Sequence, residues 1–138
     1  MNCMNSMISE FQDWVERIRE EVNEVDTLLG HKLSDEPQQL IRDLEVIETW
    51  NSRMGFLLAE ANSYLDKGKY LLLPDKEGKT EFDRKVSLDH AVSEIRQWRD
   101  RIESICDSIK QRLILGESIL GFYKQFADRK STELGVLY

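Results

Sequence analysis

The chain has 138 residues, of which 41% are hydrophobic and 33% charged, and a formal net charge of −7. That length and composition describe one domain able to bury a core without a disulfide or metal staple. The acidic balance argues against a general nucleic-acid binder, which needs a basic face to displace counterions, and no apolar run approaches the ~18 residues of a membrane span.

The opening stretch MNCMNSMISEF lacks a basic start followed by an apolar run, so no signal peptide is expected. Two cysteines, Cys3 and Cys106, make no disulfide framework and fit a reducing cytoplasm. Periodicity is helical almost throughout. The first predicted helix covers about residues 6–29. In it Ile8, Phe11, Val15, Ile18, Val22, Val25 and Leu29 alternate steps of three and four, the spacing of a coiled-coil seam. Ser6 is a candidate N-cap and Gly30 a candidate C′ residue. The outer face is acidic, and Glu16, Glu20 and Glu24 are its best candidates for contact with a basic partner.

After the polar link HKLSDEP, in which Ser34 can cap and Pro37 fits only a first turn, a second helix is predicted over 37–67. Leu40, Leu44, Ile47, Met54, Leu58, Ala61 and Leu65 keep the seam, and Asn51 occupies one of its positions as a register device. Gly68 reads as the terminator. The interruption GKYLLLPDKEGKTEFDRKV, residues 68–86, reads as a loop in which Tyr70 to Leu73 could fold back or pair briefly as a strand.

The third predicted helix covers 87–127, with a seam through Leu88, Ala91, Ile95, Trp98, Ile102, Ile105 and Ile109. The step from Ile109 to Leu113 adds a second four in a row, a stutter that unwinds a supercoil. With Gly116 and Gly121 close by, a kink or break near Gly116 is expected, followed by a tail over 128–138. This helix is too long for the other two, and its overhang LILGESILGFYKQF is apolar on nearly every side. Such a stripe needs cover, and a second copy of the chain is the expected cover, with Leu113, Ile114, Leu120, Tyr123 and Phe126 carrying self-association.

Each of the three tryptophans stands three residues before an arginine: Trp14 and Arg17, Trp50 and Arg53, Trp98 and Arg101. At that spacing a guanidinium shares a helical face with the indole and can lie over it, so the pairs read as core tryptophans shielded at the rim rather than as copies of a site. Chemistry finds little support. Neither His31 nor His90 has helical metal-ligand spacing, Cys106 lies on an apolar row, and GESILG lacks the lysine and strand of a phosphate loop. No catalytic, cofactor-binding or metal-binding residue is nominated.

Two resemblances bear on function. Glu21 and Glu24, an E-x-x-E pair, resemble the first half of the magnesium motif of the all-α nucleoside triphosphate pyrophosphohydrolases. That family requires an E-x-x-D on a facing helix, and none follows residue 24 here. The segment LEVIETWNSRMGFLLAEANSYLDKGK resembles small helical accessory proteins of bacteriophages and mobile elements, with a W-x-x-R-M-G-x-L-x-A-x-A core. That likeness implies an adaptor, inhibitor of a host protein or assembly factor.

The expectation is therefore an all-α, single-domain bundle of three long helices with coiled-coil-like packing. It is expected to be non-catalytic, protein-binding and dimeric, without membrane contact and unlike a nucleic-acid protein. The alternatives are a magnesium-dependent pyrophosphohydrolase or a single-strand nucleic-acid accessory using Tyr70 and the lysines around it.

Overall fold

A computed structural model of the chain describes the backbone at 2–71 and 80–136, and the side chains at 5–71, 85–86 and 89–130. Three α-helices run in sequence: α1 (Asn2–Leu29), α2 (Pro37–Leu71) and α3 (Thr80–Val136). They pack as an all-α three-helix bundle, in which α2 lies antiparallel to both α1 and α3. No strand occurs among the described residues, so Tyr70 and Leu71 are helical; Leu72 and Leu73 lie outside them.

The two interfaces of α2 differ in width. Against α1 it meets large rings: Trp14 lies 5.3 Å from Tyr64 and 5.9 Å from Phe11, centroid to centroid, and Phe11 lies 5.6 Å from Tyr64. Trp14 is almost wholly buried there, although its indole N–H has no acceptor among the described residues. Against α3 the backbones come close, because each helix offers a glycine to the other. A Cβ built on Gly68 would stand 2.8 Å from Val92 Cγ2, and one on Gly116 would overlap the Leu44 isobutyl group. The two glycines lie near opposite ends of the shared seam.

That notch corrects two expectations. Gly68 does not end α2, which runs on to Leu71, and Gly116 does not break α3, which is helical without interruption from Thr80 to Val136. Both glycines sit inside continuous helix because a side chain from the facing helix fills the space that a Cβ would need. The expected loop over 68–86 is correspondingly helical at both ends, and the expected tail is helix to Val136. The seam of α3 also survives its stutter: Ile109 and Gly116 are buried and Leu113 is half-buried.

The α1–α2 link is held from α3. Arg112 donates to the His31 carbonyl, satisfying an acceptor at the end of α1, and the Tyr123 hydroxyl donates to the Asp35 carbonyl at 2.9 Å. Gly30 closes α1 through a tight bond to the Thr27 carbonyl, 3.1 Å, and the Ser34 hydroxyl accepts from the Glu36 amide ahead of Pro37 at 3.1 Å. No polar or charged residue is buried among the described residues, so size rather than polar pairing sets the register of the helices.

Two predictions follow from this packing. Gly116→Ala and Gly68→Ala should each lower stability by ~1 kcal/mol or more, because overpacking outweighs the helix propensity gained. Gly55→Ala, at a position with open space around it, should instead raise stability by up to ~1 kcal/mol; denaturant midpoints read all three. Trp14→Ala should cost ~3–5 kcal/mol, and Trp14→Phe clearly less, since it keeps most of the ring and removes an unpaired buried donor.

Candidate interaction surface

The tryptophan–arginine pairs occupy three different settings. Trp14 is core, and no ring contact joins it to Arg17 among the described residues. Trp50 is half-buried, while Arg53 turns to α1, where its Nε and terminal amine donate to the Glu21 carboxylate at 2.6 and 3.0 Å. This charge-assisted hydrogen bond raises the guanidinium pKa above its ordinary value, and Arg53 also stands 5.7 Å from the Phe56 ring. Only Trp98 carries the arginine that follows it: Arg101 lies 5.3 Å from the indole, donates to Asn23 at 2.6 Å and stands 3.5 Å from Asp26. The arginines thus join α2 and α3 to α1 across its rim.

The α1 carboxylates are solvated, and several are engaged. Glu16, Glu20 and Glu24 are exposed; Glu16 pairs with Arg19 at 3.0 Å. Glu21, half of the E-x-x-E pair, is taken up by Arg53, while Glu24 points to solvent. Among the described residues no group of His, Cys, Asp or Glu is placed to hold a metal ion. His90 is exposed and stands 3.6 Å from Glu94 on the same helix. Cys3 lies outside the described side chains.

The five residues singled out for self-association divide into two sets. Leu113, Leu120 and Tyr123 are half-buried against the chain's own core. Ile114 and Phe126 stand out, 65% and 58% exposed, and Leu115 and Phe122 join them at 55% and 64%. Phe122 meets its neighbour Tyr123 edge to face at 6.3 Å, and the Lys130 ammonium hangs 5.9 Å from the Phe126 ring. Leu115 and Phe122 belong to the apolar overhang of the sequence but are not among the five nominated residues, which mix seam and off-seam positions. The usable signal was large apolar residues standing off the seam, where the bundle cannot cover them.

These side chains share one face. At 100° per residue, Ile114, Leu115, Ile119, Phe122 and Phe126 fall on one side of α3. The positions between them are Gln111, Ser118, Gly121 and Gln125, so a face about 160° wide over residues 111–126 carries no charge. Arg112, Glu117 and Lys124 all lie off it. In a chain with one residue in three charged, such a gap is unusual. Loss of charge with aromatic enrichment is the composition of an interface core. Tyr123 marks the level of the α1–α2 link, and the helix continues to Val136, ~20 Å farther.

No protein-family model, curated protein or solved structure matches the chain. No helix among the described residues is long and apolar enough to cross a membrane.

Cys106 is buried, and that burial is the main cause of a thiol pKa raised above its ordinary value. The sign follows: the neutral thiol contributes fully below the pKa it has in the unfolded chain, and that contribution is lost as pH rises through the higher folded value. Stability should therefore fall above pH ~8.5. Cys106→Ala should show a shallower fall between pH 8 and 10, measured by urea midpoints at each pH.

Proposed function

We propose that the chain is a non-catalytic, protein-binding protein that works in assembly, with α3 supplying the contact surface. The observation that carries this reading is the charge-free face over residues 111–126, with Ile114, Leu115, Phe122 and Phe126 each more than half exposed. Exposed apolar patches of a few hundred Å² mark binding sites on otherwise soluble surfaces. The resemblance of residues 44–69 to bacteriophage accessory proteins, a segment lying wholly within α2, supports the same class and a role in the cytoplasm of a bacterial host.

A face built for binding contributes little to the fold of the single chain. Phe122→Glu and Phe126→Glu should keep the far-UV helicity of the parent and shift its unfolding midpoint by no more than ~0.5 kcal/mol. Leu113→Glu, on the covered side of the same helix, should unfold it. Collapse of the Phe122 variant would make the face structural and remove the ground for a binding role. Magnesium-dependent turnover of nucleoside triphosphates by the purified chain would overturn the reading in favour of an enzyme.

A further inference from the structure

We infer that the occupant of the α3 face is a second copy of the chain, its α3 laid antiparallel to the first across a two-fold axis at the peptide bond between Leu120 and Gly121. This rests on the protein-binding reading above and names the partner. Three features of the face point to it.

The spacing is self-complementary. Leu115, Ile119, Phe122 and Phe126 step by four, three and four, the spacing of a coiled-coil seam, and all but the half-buried Ile119 are exposed. Leu115 and Phe126 are equidistant from the stated bond, and so are Ile119 and Phe122. An antiparallel pair therefore stacks Leu115 on the partner's Phe126 and Ile119 on the partner's Phe122, in four closed layers. Arg112 and Arg129 bound the strip and are equidistant from the same point, so a slip of one heptad sets Arg112 against Phe122 in one direction and Arg129 against Ile119 in the other. Arg112 itself is turned away to the His31 carbonyl.

The charge favours it too. Two copies of a chain of net charge −7 repel across most of their surfaces. Between two charge-free faces that repulsion is least, and the flanking residues Gln111, Ser118 and Gln125 can hydrogen-bond to one another at any pH.

The area of the four exposed side chains comes close to what a stable pair needs, and the flanks add to it. At 55–65% exposure, Ile114, Leu115, Phe122 and Phe126 leave ~450 Å² of apolar surface per copy, so pairing removes ~900 Å² before the flanks are counted. The lower bound for a stable interface is ~1,000 Å². The chain's own packing lies mainly on the other side of α3, at Gly116, Leu120 and Tyr123; it half-covers Ile119 at the edge of the strip, and Leu115, Phe122 and Phe126 stay more than half exposed.

In the antiparallel pair, Ser118 of one copy lies across the seam from Gln125 of the other. The test uses the full chain in a Cys3→Ser background, with the buried Cys106 retained, and carries Ser118→Cys in one preparation and Gln125→Cys in another. Light scattering on a sizing column should give twice the 16.2 kDa chain mass, reduced to the single chain by Phe122→Glu with helicity kept. Under mild oxidation the mixed preparations should form a disulfide-linked dimer of one of each, at least tenfold faster than either alone. Faster linking of each preparation to itself would indicate parallel helices and overturn the inference, as would a dimer that neither variant links. A monomer at all concentrations would overturn it while leaving the protein-binding reading, with an unlike helix as the occupant.

Discussion

The bundle depends on how closely α2 and α3 approach. With no polar or charged residue buried among the described residues, and the Trp14 indole N–H unpaired, nothing in the core specifies alignment by hydrogen bonding. Alignment comes instead from two reciprocal fits: Val92 of α3 into Gly68 of α2, and Leu44 of α2 into Gly116 of α3. One fit alone would allow a pivot. Two of them, ~36 Å apart along α2, fix both the axial register and the crossing of the helices. The wider α1 interface, filled by Phe11, Trp14 and Tyr64, then forms around a frame already set.

Much of this was legible in the heptad pattern. The seam residues Phe11, Val15, Ile18, Val22, Leu40, Ile47, Met54, Ile95, Ile102 and Ile109 are all buried, and Pro37 opens α2. The glycines were misjudged because composition treats glycine as a breaker. Its other use, letting two backbones meet, depends on what faces it. Seam position separates the two cases: Gly68 and Gly116 continue the three-and-four spacing and are packed, whereas Gly55 and Gly121 lie off it in open space. The exposed apolar face was half legible. Its location on the overhang was, but which side of α3 faced outward depended on the direction in which α2 and the link lay, and only the packing supplies that.

The rim arginines show a division of labour among similar motifs. Arg53 and Arg101 follow tryptophans at the same spacing, yet one is spent on Glu21 and the other on Asn23, Asp26 and its own indole. What they share is direction: both reach to α1, whose outer face is acidic. Attraction across an exposed rim is weak per pair, and here both arginines act on the stretch from Glu21 to Asp26, near the C-terminal end of the helix that lacks glycine notches.

The unbroken passage of α3 through Gly116 also decides how the molecule moves through solvent. Fifty-seven helical residues make a rod ~85 Å long, whereas a compact domain of equal chain length has a radius of gyration of only ~14 Å. The other two helices thicken that rod without shortening it. Its hydrodynamic size therefore exceeds what its mass suggests. A column calibrated with spherical standards would assign even the single chain too large a mass, and rotational tumbling would be markedly anisotropic, slow end over end and faster about the long axis.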